Sequence, residues 1–141
     1  MMMLMMNFRK TVTLLAASAL TIGIAAAMAS APKSVAKTAL RCGWFDNPTP
    51  QNASLTDRDG EWIISVQGGH ASTGDWPPKF KPSQWVRTNA GSYGYGCACF
   101  NVSVDKEASQ ITHIASAYAR PLSACRNDKA LKASEPYNPL K

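Results

Sequence analysis

The segment Tyr93-Gly94-Tyr95-Gly96-Cys97-Ala98-Cys99-Phe100-Asn101-Val102-Ser103-Val104 alternates as a β-strand does. Tyr93, Tyr95, Cys97, Cys99, Asn101 and Ser103 fall on one face. Phe100, Val102 and Val104 fall on the other, preceded there by Gly94, Gly96 and Ala98. Small residues opposite aromatics predict close backbone packing or a bulge. Asp105–Ser109 is a polar turn, and Ile111-Thr112-His113-Ile114-Ala115-Ser116-Ala117-Tyr118 returns as a strand, so the pair reads as a hairpin.

The same strand carries two of the four cysteines, Cys42, Cys97, Cys99 and Cys125. An even number in a small exported chain reads as two disulfides. A bond between Cys97 and Cys99 is disfavoured by the strained ring it closes. Both sulfurs address one side of the sheet, so one reaches Cys42 and the other Cys125; the residues leave open which takes which. A Cys-x-Cys metal site completed by His70 or His113 is the competing reading.

Upstream, Arg41-Cys42-Gly43-Trp44-Phe45 reads as a short strand and Asp46-Asn47-Pro48-Thr49-Pro50 as a turn cluster. Leu55-Thr56-Asp57 and Glu61-Trp62-Ile63-Ile64-Ser65-Val66 flank Arg58-Asp59-Gly60, a hairpin signal because Gly accepts positive φ. Trp62, Ile64 and Val66 share one face and Glu61, Ser65 and Gln67 the other, while Ile63 breaks the alternation, so both faces are expected to be partly covered. Residues 67–92 show no regular period, with a short strand expected at Gln84–Arg87, and so long an irregular segment is a candidate for function. Downstream, Pro121-Leu122-Ser123-Ala124-Cys125 suits a short helix start, which Asp128–Lys132 would extend. The expectation is a mainly β domain: a small antiparallel sheet or partly open barrel of about five strands, two disulfides and at most one or two short helical turns.

The chain has 141 residues, 45% of them apolar and 17% charged, with a formal net charge of +6. That allows one globular domain and excludes a polytopic membrane protein. Arg9-Lys10, the uncharged run Thr11–Ala27 and the small-x-small Ala27-Met28-Ala29 predict a signal peptide over 1–29; a retained anchor helix is the alternative. The organisation read from the sequence is signal peptide 1–29, flexible leader 30–40, a single disulfide-stapled β domain 41–131 and a loose tail 132–141. The remaining basic residues are scattered, without the concentrated patch that nucleic-acid binding needs. The location expected is periplasmic or secreted, with no membrane span after cleavage.

Arg41–Pro50, Leu55–Trp62, Gln67-Gly68-Gly69 and Tyr93–Cys99 together resemble an uncharacterised family of small exported bacterial proteins, known as domain of unknown function 4087. The resemblance runs from about Arg41 to Leu131 and implies export and a single domain. It brings no activity and no catalytic residues.

Asp57-Arg58-Asp59-Gly60-Glu61 has the carboxylates of a Ca²⁺ loop but not its spacing, and a solvated hairpin turn explains it. His70 with Asp75 could form a general-base dyad; ordinary polar loop residues are the simpler reading. Trp76, Trp85, Tyr93 and Tyr95 could stack on sugars or anchor a protein, as against filling a core poor in large aliphatics. The function expected is a binding or inhibitor-like module of the bacterial envelope. It would use the aromatic loop (Trp76, Trp85, Tyr93, Tyr95, His70, Asp75) toward an envelope protein or glycan, with no metal or cofactor. The alternatives are a structural envelope component and a small hydrolase using His70 and Asp75.

Overall fold

The computed structural model describes residues 37–141. The signal-peptide reading of 1–29 and leader residues 30–36 lie outside the described residues. Ala39–Thr49 (β1), Asn52–Asp57 (β2) and Gly60–Ser65 (β3) form a meander. A long connection follows, carrying Thr73–Gly74 (β4), a 3-10 turn at Pro82–Gln84 and Trp85–Arg87 (β5). The hairpin is Gly94–Asp105 (β6) and Gln110–Arg120 (β7), and the chain ends through Leu122–Arg126 (α1) and a 3-10 turn at Lys132–Ser134. Among the described residues no helix is long and apolar enough to cross a membrane.

β6 returns beside β1, and β7 pairs with both β6 and β3. The strands β1-β2-β3-β7-β6 therefore run round a partial ring. Three hairpin-linked strands with a fourth returning beside the first make a Greek key, and a five-stranded, partly open Greek-key barrel is the architecture of the OB-fold. Architecture by itself assigns no function.

The ring is thinnest between β3 and β7, a parallel contact with one register pair, Ile63 with Gln110. Beyond that pair a piece of the long connection fills the gap. The Ser72 N–H donates to Ile64 O (2.8 Å). The Ser72 hydroxyl lies between the carbonyls of Ile64 and Ile111. His70 Nε2 donates to Ile111 O (2.8 Å). β4 then runs parallel to β7, Thr73 with His113 and Gly74 with Ile114. Gly74 has φ +99°, and a Cβ there would collide with the Ile114 backbone, so only glycine allows this approach.

The alternation read in β6 holds, and both faces are buried. Ala98, Phe100 and Val102 enter the ring interior with Phe45, Leu55, Trp62, Ile64, Ile111 and Ile114. On the outer face Tyr95 and Cys97 pack with Trp44, Cys125 and Leu131. The cover is the C-terminal arm, residues 121–135. Cys97–Cys125 ties it covalently, Trp44 Nε1 donates to Leu131 O (2.8 Å), and Tyr95 Oη donates to Glu135 (2.7 Å). Each large apolar side chain buried in these clusters contributes about 1.5–3 kcal/mol. The second bridge, Cys42–Cys99, joins residues directly opposite in β1 and β6, which settles the pairing. All four sulfurs are in bonds, so the Cys-x-Cys metal reading has no thiolate to use.

Three expectations are corrected. β1 begins at Ala39, inside the expected leader, and runs on to Thr49 through the expected turn cluster. Pairing with β6 extends from Ala39 to Asn47. Pro48 falls in a register shift between Asp46 and Thr49, where its missing N–H costs no ladder bond. The tail is not loose throughout, because Glu135 is held by Arg126 and Tyr95.

Candidate functional site

β7 has a partner on one side only along much of its length. It meets β3 at Gln110 and β4 at His113 and Ile114, and from there to Arg120 its register partners all lie on β6. Asp75, Pro77, Pro78 and Lys79 face the other side across a groove of about 490 Å³, lined on the β7 side by the five consecutive residues Ala115–Ala119. Successive strand residues point to opposite faces, so a groove that touches five in a row runs along the strand's edge. The sequence explains why it stays open. The pairing of β4 ends at Gly74, and Pro77 and Pro78 beyond it have no N–H to offer a ladder opposite Ala115–Ala119. The groove walls carry one acid, Asp75, and one base, Lys79. Tyr118 stands exposed beside it.

The loop aromatics are partly the barrel's plug. Phe80 and Trp85 lie with ring centroids 4.7 Å apart, and each is 6.0 Å from Phe45. Trp76 is half-buried against the same core. Gly96 leaves room for the plug, since a Cβ there would lie 2.5 Å from Phe80 and 2.7 Å from Gln84 O. Trp85 Nε1 donates to Ser92 O (3.1 Å), and Tyr93 O accepts from the Thr88 N–H. Tyr95 is core, 1% exposed, edge-on to Trp44. Burial, reinforced by Glu135, pushes its pKa up to about 12. Of the expected site residues, only Asp75 lines the edge groove, with Trp76 adjoining it in sequence; Trp85 packs on Phe80 and Tyr95 on Trp44, and Tyr93 is half-buried.

His70 and Asp75 are not brought together by a hydrogen bond or ion pair among the described residues. His70 holds Ile111 O as described, and His113 Nδ1 lies 2.8 Å from the Thr73 hydroxyl. The Asp57–Glu61 run is the β2–β3 turn. Asp57 is buried and takes Arg41 (2.6 Å), the Trp62 indole (3.1 Å) and the Asp59 N–H (2.8 Å). Arg41 also reaches Asp59 (3.0 Å) and stacks over Trp62, 3.9 Å from its ring centroid. Burial opposes the charge on Arg41, but the bonds to Asp57 and Asp59 outweigh it and raise its pKa. Among the described residues no three His, Cys, Asp or Glu groups gather as a metal site.

A second concavity, about 530 Å³, lies between the outer face of the sheet and the C-terminal arm; all four cysteines line it with Arg41, Arg58, Arg120, Asp57, Asp59 and Asp128. Arg41, Arg120 and the β7 edge were not singled out from the sequence. The Pro77-Pro78 pair was the available sequence signal for the edge. Nothing local signals Arg120, which matters through Cys99, 21 positions away.

No curated protein and no solved structure matches the chain. A family model described as a protein of unknown function, DUF4087, matches residues 36–132, which takes in the whole ring, the edge groove and both disulfides; the chain belongs to that family.

Proposed function

We propose that the chain is a binding module for a protein partner outside the cytosol, and that it takes an extended segment of that partner as an added strand along Ala115–Ala119. The open edge facing Pro77-Pro78 carries this reading: five consecutive residues line the groove, and four of them, Ser116 to Ala119, pair with β6 on the other side while Ala115 sits at the bulge. In strand addition, main-chain bonds supply affinity and alternate side-chain positions supply selectivity. Here the edge alternates Ala with Ser116 and Tyr118, so one row of ligand side chains meets a shallow alanine floor and the other meets Tyr118. The groove walls carry a balanced charge, which favours a weakly charged segment. The two disulfides favour an oxidising compartment. A glycan fits less well, because of the rings expected to stack on sugar Tyr95 is core and Trp76 and Trp85 are half-buried against the inner cluster.

The test is a display library of random decapeptides panned on the folded protein. Enriched peptides should protect the amides of Ala115–Ala119 from hydrogen exchange. Methylating alternate backbone nitrogens of such a peptide should weaken binding at least tenfold in one phase of the alternation and little in the other. An absence of enriched peptides, or binding indifferent to N-methylation, would refute strand addition.

A further inference from the structure

The two disulfides differ in what they hold and in what surrounds them. Cys97–Cys125 is buried at both ends, 3% and 1% exposed, and is the covalent link between the sheet and the arm. Cys42–Cys99 spans two strands that already pair over nine register positions, Ala39 to Asn47 against Val102 to Gly94. That ladder persists if the sulfur bridge opens. Cys99 is 0% exposed, while Cys42 is only half-buried. Both line the cleft under the arm.

The charges of that cleft are paired except one. Arg41 is held by Asp57 and Asp59, and Arg58 lies 3.9 Å from Asp128. Arg120 has no carboxylate partner among the described residues. Its guanidinium Nη1 lies 3.7 Å from Cys99 Sγ. A neighbouring guanidinium favours the thiolate over the thiol, and a leaving thiol of lower pKa departs faster in exchange.

We infer that Cys42–Cys99 is a thiol–disulfide exchange site for an anionic thiol or dithiol entering the cleft. The incoming thiolate attacks Sγ of Cys42, the less buried residue of the bridge. The Cys42–Cys99 bond breaks, and Cys99 leaves as a thiolate beside Arg120. The product is a mixed disulfide on Cys42. With a dithiol, the second thiolate of the partner attacks the partner's own sulfur in that mixed disulfide and releases Cys42. The partner is then oxidised by two electrons to its disulfide, and Cys42 and Cys99 are reduced to two thiols. Cys97–Cys125 takes no part, and the arm stays attached.

The probe is 2-mercaptoethanesulfonate, with neutral 2-mercaptoethanol and cationic cysteamine as comparators. The folded protein is sampled over time by alkylation and peptide mass mapping. Cys42 and Cys99 should label at least tenfold faster than Cys97 and Cys125. At equal thiolate concentration the sulfonate should react several-fold faster than cysteamine. Arg120→Gln should slow opening of Cys42–Cys99 about tenfold and erase the preference for the anionic thiol, and Arg120→Lys should restore part of both. Arg120 is exposed, so these variants keep the fold; circular dichroism checks it. Both bridges opening together at the rate of global unfolding would overturn the inference, as would an Arg120→Gln protein that exchanges at the wild-type rate.

Discussion

Asp57→Ala should remove about 3–4 kcal/mol of stability. The side chain is 5% exposed and faces Arg41, itself 12% exposed, at 2.6 Å. Truncation leaves that guanidinium over the Trp62 ring with Asp59 alone, at 3.0 Å and 61% exposed. Removing one partner of a buried ion pair costs about 3–5 kcal/mol. The surviving contact to Asp59 offsets part of this, and two further donors, Trp62 Nε1 and the Asp59 N–H, lose their acceptor at about 1 kcal/mol each. Against a total of about 5–15 kcal/mol, the loss should lower the urea midpoint by about 2 M. Tryptophan fluorescence reads the transition. A cycle with Arg41→Met separates the pair from its surroundings: with both residues replaced no charge is stranded, so the double variant should be about 2 kcal/mol more stable than the sum of the single losses implies. A loss below about 1 kcal/mol, or a coupling within about 0.5 kcal/mol of zero, would refute the claim that Asp57 is there to neutralise a buried arginine.

Burial first, and then the nearby Glu61, lift the Asp46 carboxyl from 3.8 to about 6. The folded state therefore binds this proton more tightly than the unfolded chain, and its contribution is fully present below 3.8 and lost as pH rises through about 6. Asp46→Asn should stabilise the protein at neutral pH by about 1–2 kcal/mol, after discounting for partial exposure. The gain should vanish below about pH 4; a pH-independent gain in the denaturation midpoint would contradict this. Glu135 has the opposite sign: the hydrogen bond from Arg126 outweighs burial and holds its pKa below the ordinary value. Its stabilisation is present above the unfolded pKa and is lost as pH falls through the lower folded one. Glu135→Gln should speed exchange of the Leu131, Lys132 and Ser134 amides about tenfold while leaving β6 and β7 protected; unchanged arm protection would show that Cys97–Cys125 and Leu131 suffice to hold it.

The inner face of β6 was legible because alternation is local. Phe100 and Val102 point inward wherever the strand is placed. Its outer face was not, because what covers Trp44, Tyr95 and Cys97 is Leu131 and Cys125, distant in sequence. Tyr95 therefore read as a binding aromatic and proved to be core. Pro50 does mark a break, the turn into β2, but Pro48 misread as one for a related reason: a proline stops a strand only if the ladder needs its N–H, and the register shift between Asp46 and Thr49 removes that need. The long loop was visible as irregular, but not that it would divide its labour. His70 and Ser72 close the β3–β7 gap, Phe80 and Trp85 plug the barrel, and Asp75, Pro77, Pro78 and Lys79 wall the edge groove. An edge is defined by the strand that is missing, which a one-dimensional pattern does not record.

Open edges are ordinarily blunted with charge, proline or shortness, since they template association with other chains. The other terminal strands here follow that rule: β4 has two residues, and β5 has three and ends in Arg87. The β7 edge does not, for Ala115–Ala119 contains neither charge nor proline. The prolines sit instead on the opposite wall. On the strand-addition proposal, a wall at that position would take one extended chain into the groove and exclude a second sheet, which would need about 4.7–4.9 Å of unobstructed spacing for each added strand. On the same proposal, protection against aggregation and access for a ligand would thus be supplied by the same residues. Replacing Pro77 and Pro78 with glycines should therefore raise self-association, whereas an edge that served only the fold would be served better by a lysine at Ala117.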